Sequence, residues 1–265
     1  MERFGLVGLP NAGKSSLYNA LTGGGALAAP YAFATKDPNI GVARVPDTRL
    51  DQLAIMSKTQ KTVHATVQVV DIGGIVEGAS KGEGLGNKFL ANIREVEATV
   101  FVLRAFEDDD VPGPSDPLEH LRIVELELAL ADLETVESRL PRLQKSSKLD
   151  KSVLEEVAAL EVALTSLSEG IPLYRAGLSA DIRLALAPHF LLTNRRVLAV
   201  VNVGENELDK IPEAEASVRA ELAPPGSASA AEVEVLGMSV QLEAEAAQLD
   251  EADRAEMLGE LGLGE

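Results

Sequence analysis

Cysteine and tryptophan are absent from the 265 residues, and aromatic residues make up only 3% of them. Without cysteine there is no disulfide, no thiolate metal site and no cysteine nucleophile. With so few rings, Leu, Val, Ile and Ala have to fill the core, and a hydrophobic fraction of 46% lets them do so. No apolar run approaches the roughly 18 residues of a membrane span. The opening MERFGLVGLPN lacks the long apolar centre of a signal peptide. The expectation is a cytoplasmic monomer with no membrane contact. Positive charge is also scarce: 24 Lys and Arg face 42 Asp and Glu, a net charge of −18. Such a surface repels a phosphate backbone, which argues against bulk attraction to nucleic acid. Any RNA contact has to come from a local basic patch.

Glycine, by contrast, is placed with purpose. Residues 8–15 read GLPNAGKS, the G-x-x-x-x-G-K-[ST] phosphate loop. RFGLVG before it reads as a strand. SSLYNALTG after it reads as a helix, stopped by glycines 23–25. In this context Gly8 and Gly13 let the backbone turn its amides toward phosphates, and the helix N-terminus adds partial positive charge. Asn11, Ala12, Gly13, Lys14, Ser15 and Ser16 are the candidate phosphate-binding residues. Lys14 would reach the β- and γ-phosphates, and Ser15 would offer its hydroxyl to Mg²⁺.

Residues 66–74, TVQVVDIGG, form a β-branched run ending at Asp71, with Gly74 three residues on. Such an Asp holds Mg²⁺, and such a Gly amide senses the γ-phosphate. Ile75 follows, where many switches carry a Gln that orients the attacking water. Between these motifs, PYAFATKDPNIGVARVPD sits where a switch loop should supply a Thr for Mg²⁺ and the γ-phosphate; Thr35 is the candidate, since Thr22 falls too early. Residues 197–209, VLAVVNVGENELD, run from an apolar strand into Asn202, Val203, Gly204 and Glu205. Asn followed three positions later by an acid is a base-reading pattern. Asp in that place accepts from both N1–H and N2–H₂ of guanine. Glu is one methylene longer and cannot keep that geometry, and Gly204 removes the Lys stem that commonly covers the base. The pattern argues against strict guanine reading more firmly than it argues for adenine.

GLPNAGKSSLYNALT, DPNIGVARVPDTRLDQL, VDIGGIVEGASKGEGLGNKFLANIREVEA, RAFEDDD and ELALADLETVESRL together resemble the YchF, or Obg-like ATPase, family. The likeness spans residues 3 to about 264. It implies a Ras-like α/β P-loop domain interrupted by a helical insertion, Mg²⁺-dependent hydrolysis of ATP in preference to GTP, and association with ribosomes. It also implies Asn202 and Glu205 as the base motif, a hydrophobic residue at Ile75, Ser239 in the last nucleotide loop, and Asn11 as a candidate ligand for K⁺. Relatives usually continue into a C-terminal TGS domain, and these residues stop where it would begin. Bacterial relatives often carry Cys where Ala34 stands. A loop His of the family is missing from VPGPSDP, and His120 belongs to the helix that follows. Val240 stands where the family has Ala beside Ser239.

From about residue 117 the pattern turns helical. Leu126, Leu130, Leu133, Leu140 and Leu143 make one stripe; Val153, Val157, Leu160, Leu164 and Leu167 make another. Two stripes joined by a short polar link read as an antiparallel hairpin, with Pro141 expected to kink the first helix or end its regular turn. The link, RLPRLQKSSKLDK, carries Arg139, Arg142, Lys145, Lys148 and Lys151 against Asp150. In so acidic a chain it is the candidate ribosomal RNA contact, weighed against a merely solvated turn. The whole predicts an α/β, Ras-like P-loop domain with a mostly parallel six-stranded sheet plus an α-helical hairpin. The divisions are 1–118, 119–190 and 191–265. The alternatives are a non-hydrolysing ribosome adaptor and a GTPase.

Overall fold

The computed structural model describes residues 2–23, 39–73, 85–108, 113–147, 151–223 and 233–261. β-Branched runs alternate with helices along the chain, and the runs assemble one sheet in the order β2-β3-β1-β4-β5-β6. The strands are β1 (Arg3–Val7), β2 (Asn39–Arg44), β3 (Thr66–Asp71), β4 (Ala98–Ala105), β5 (Arg196–Val203) and β6 (Val233–Met238). All pairs are parallel except β2–β3. The helices are α1 (Lys14–Leu21), α2 (Thr48–Ser57), α3 (Leu85–Arg94), α4 (Pro117–Ser146), α5 (Leu154–Ser168), α6 (Ala180–Leu186), α7 (Ile211–Leu222), α8 (Val240–Ala246) and α9 (Glu251–Glu260). Among the described residues, no helix is long and apolar enough to cross a membrane.

A parallel sheet has to be covered on both faces. One face packs Val70, Phe101, Leu103, Ala199 and Val201 against α3 (Phe89, Ile93), the first half of α4 (Leu121, Val124, Leu128) and α7 (Val218, Leu222). The other packs Leu6, Val69, Val102 and Val200 against α1 (Leu17, Tyr18) and α8 (Val240). Toward the starts of the strands on that second face, Phe4, Val67, Leu198 and Leu236 line an apolar groove of about 510 Å³.

α4 belongs to two cores. Its second half joins α5 and α6 through Val136, Leu140, Leu160, Ala163, Leu167 and Leu186. Two expectations for this region are met only in part. α4 does not end at Pro141 but continues to Ser146; the lost N–H removes one rung, and packing against α5 carries the helix past it. The first leucine stripe also holds only in part: Leu140 is buried and Leu133 and Leu143 pack against the same core. Leu126, however, is 51% exposed, and Leu121, Val124, Leu128 and Val136 take the buried face. Buried acids share that face. Asp132 accepts from Leu192 N, Thr193 N and Thr193 Oγ1, each at 2.7 Å. Glu125 accepts from Tyr174 Oη at 2.7 Å and Arg175 at 2.8 Å. The second stripe holds, with Val157, Leu160 and Leu167 buried and Leu164 packed against them.

Candidate nucleotide site

The site grows from the ends of β1, β3, β4 and β5, where the parallel strands deliver their loops. β1 runs into the glycine loop, which turns through Asn11 at φ 62° and Gly13 at φ 98° into the first turn of α1. Both glycines are required by space. A Cβ on Gly8 would lie 2.4 Å from Val102 O, and one on Gly13 would lie 2.5 Å from Asn202 Nδ2, besides the strain of a left-handed backbone there. Ala12 is fully buried beneath the loop and presents its carbonyl inward.

Lys14 is buried, and its Nζ donates to Leu9 O at 2.8 Å, folded over its own loop. Burial pushes its ammonium below the ordinary lysine range, and Asp71 pulls it back up. Register sets Leu6 of β1 beside Asp71 of β3. From there Ser15 Oγ donates to Asp71 Oδ2 at 2.7 Å, so the two proposed metal ligands meet at one point. Thr35, Gly74 and Ile75 lie outside the described residues.

Asn202 ends β5 with both amide atoms engaged. Its Nδ2 donates to Ala12 O and its Oδ1 accepts from Val240 N, both at 3.0 Å. It therefore ties the glycine loop to the start of α8. Ser239, at that start, is 1% exposed, and its Oγ has no partner among the described residues. Between these walls lies a cleft of about 960 Å³, reached by Asn11, Gly13, Lys14, Ser15, Ser16, Asn202, Val203, Glu205 and Ser239. The expected residues that the structure describes are thus brought together, Asp71 through Ser15, and Ala12 from beneath the loop.

Phe106 was given no role by motif reasoning. β4 and β5 pair so that Arg104 lies beside Asn202 and Ala105 beside Val203, which sets Phe106 next to Gly204 at the same cleft. Arg104 steadies it, with its guanidinium 4.7 Å from the ring centroid and Nε donating to Phe106 O at 3.0 Å. A Cβ on Gly204 would fall 3.5 Å from Phe106 Cβ, so a long side chain there would compete with the ring for space. The available signal was RAF itself, a cation and a ring closing an apolar strand. His120 sits in the first turn of α4, as its sequence position indicated. It is buried, with Nε2 2.8 Å from Pro114 O and Nδ1 taking a long contact from Arg104 N. Burial holds its imidazole below the ordinary histidine range.

A glycine loop closing on a helix start, with an acidic strand end meeting that helix's first hydroxyl, defines a P-loop nucleotide-binding protein on a Ras-like sheet. A family described as 50S ribosome-binding GTPase matches residues 3–138. "Ribosome-binding ATPase YchF" of Escherichia coli O157:H7 is 44% identical over 98% of this chain and 71% of its own length. Its Bacillus subtilis counterpart is 41% identical with the same coverage. The solved structure of the Schizosaccharomyces pombe YchF GTPase superposes with a TM-score of 0.77 at 32% identity, covering 99% of this chain and 72% of that one. The chain belongs to the YchF family.

Proposed function

We propose that the protein binds and hydrolyses ATP in preference to GTP, with Mg²⁺, and switches conformation between the two nucleotide states while associated with ribosomes. The observation that carries the reading is the meeting of Ser15 Oγ and Asp71 Oδ2 at the mouth of the glycine loop. Hydroxyl and carboxylate oxygens are the ligands a hard cation takes. Bound there, Mg²⁺ would neutralise charge on the phosphates. Lys14 would leave Leu9 O for the β- and γ-phosphates. Thr35 and Gly74 are assigned the γ-phosphate, and Asn11 a K⁺ ion beside it. Ser239 Oγ, buried without a partner among the described residues, supports a ligand at the base end. Glu205 would accept from an adenine amino group, and Phe106 would offer its ring to the base. Ile75 in place of a water-orienting Gln supports a slow intrinsic rate.

The chain is proposed to divide at 118/119 and 190/191. Ribosome association draws on the printed names of the relatives. Arg142, Lys145 and Lys151 are exposed at the hairpin end and suit RNA phosphates; Lys148, assigned with them, lies outside the described residues. Arg139 stands apart, its guanidinium 3.3 Å from His189 Nδ1. A GTPase reading is favoured by two printed descriptions, that of the family matching residues 3–138 and that of the Schizosaccharomyces pombe structure. Competition of ATP and GTP for the wild-type protein, with Lys14→Ala as the empty control, decides between them. Equal displacement by both nucleotides contradicts the ATP preference.

A further inference from the structure

The tip of the β2–β3 hairpin exposes apolar surface that no described element covers. α2 has no buried residue. Leu53, Ile55 and Met56 are 54%, 79% and 75% exposed, and Val63, just before β3, is 70% exposed. These residues sit on a fixed platform. Asp47 caps α2 by accepting from Arg49 N. Asp51 Oδ1 lies 3.2 Å from His64 Nε2, and Val45 N donates to Ala65 O at 2.9 Å. A ten-residue helix does not hold itself together in water, and large apolar side chains left exposed on one mark a docking surface.

Charge narrows the partner. Arg44, Arg49, Lys58 and Lys61 are all exposed around the patch, against Asp47 and Asp51, in a chain whose net charge is −18. Asp47 and Arg49 pair at 2.9 Å and cancel, which leaves Arg44, Lys58 and Lys61 against Asp51. A basic rim around an apolar centre complements a protein face with an acidic rim and an apolar centre. RNA phosphates would satisfy the rim and leave Ile55 and Met56 in water. β3 leads from this tip to Asp71, so the patch lies at the opposite end of the strand from the nucleotide cleft and leaves the cleft free.

We infer that α2 and residues 58–63 form a second ribosome-docking surface, seating a ribosomal protein whose contact face is acidic around an apolar centre. The inference rests on the ribosome association proposed above. The test is co-sedimentation with intact ribosomes, in low and high salt, of the wild type, an Ile55→Glu/Met56→Glu variant and a Lys145→Glu/Lys151→Glu variant. Positions 55 and 56 are water-facing, so thermal unfolding and nucleotide binding should be unchanged. The α2 variant is expected to lose at least about tenfold in ribosome affinity, with the loss persisting in high salt because its contact is apolar. The hairpin variant's loss should fade as salt screens it. A wild type that does not sediment overturns the ribosome reading and this surface with it. A wild type that sediments, with the α2 variant sedimenting equally, overturns the surface alone. An equal loss by the α2 variant on protein-free ribosomal RNA would show an RNA contact and overturn the protein partner.

Discussion

The nucleotide cleft and the helical hairpin are built by different rules. In the cleft, position follows from backbone necessity. Gly8 and Gly13 admit no Cβ, Ser15 follows Lys14 into the first helical turn, and Asp71 is placed by strand register. In the hairpin, position follows from which face of a long helix finds cover, and polar side chains compete for that face. Asp132 and Glu125 are buried in α4 as firmly as its leucines. A motif therefore locates its residues to the position, whereas an apolar period locates a helix without fixing its phase.

The largest effect expected is in the cleft. Lys14→Ala should lower nucleotide affinity at least about a hundredfold, read by titration with a fluorescent ATP analogue, with little change in unfolding, since among the described residues Lys14 bonds only its own loop. The hairpin should respond the opposite way. Asp132→Ala leaves three buried donors without their acceptor and should cost about 3 kcal/mol or more in urea unfolding, while the intact fraction binds ATP normally. Equal effects of both substitutions on binding and on stability would erase the distinction.

Asp132 also gives the comparison a pH signature. Burial raises its carboxyl from 3.8 to about 6 despite the three donors. A folded pKa above the unfolded one means the folded chain binds the proton more tightly. Its contribution is complete below about pH 3.8 and is lost as pH rises through about 6, a change of about 3 kcal/mol. Unfolding free energy of the wild type should therefore fall relative to Asp132→Asn between about pH 4 and 7. Parallel profiles would show that this carboxyl does not titrate in the window.

Asn202 joins the two styles, since a motif residue here serves as a clamp. Asn202→Ala should cut both bonds to Ala12 and Val240, lowering ATP affinity about tenfold and stability by about 1–2 kcal/mol. Loss of affinity with no loss of stability would mean that it serves the base alone. The smallest effect is expected at Glu205→Asp, a several-fold shift of the ATP/GTP binding ratio toward GTP. An unchanged ratio would show that Glu205 is not the discriminator.

Much of the fold could be read from sequence because each β-branched run ended in a loop with a recognisable task. The strand order and the antiparallel β2–β3 pair could not, since β2 is a short, half-exposed edge whose alternation resembles a loop. Phe106 was hidden for a related reason. Its role depends on β4 pairing in register with β5, a contact between residues about a hundred positions apart. Asp132 was hidden because an acid on a helix reads as solvent-facing until Leu192 and Thr193 are seen to fold over it.

The central claim, that the glycine loop with Ser15 and Asp71 forms a hydrolysing ATP site, is tested most directly by single-turnover phosphate release from ATP with Mg²⁺ and K⁺, with and without ribosomes. Wild-type protein should release phosphate above the Lys14→Ala variant in at least the ribosome-containing reaction. Release no faster than the variant in either condition would contradict the claim and leave a nucleotide-binding adaptor.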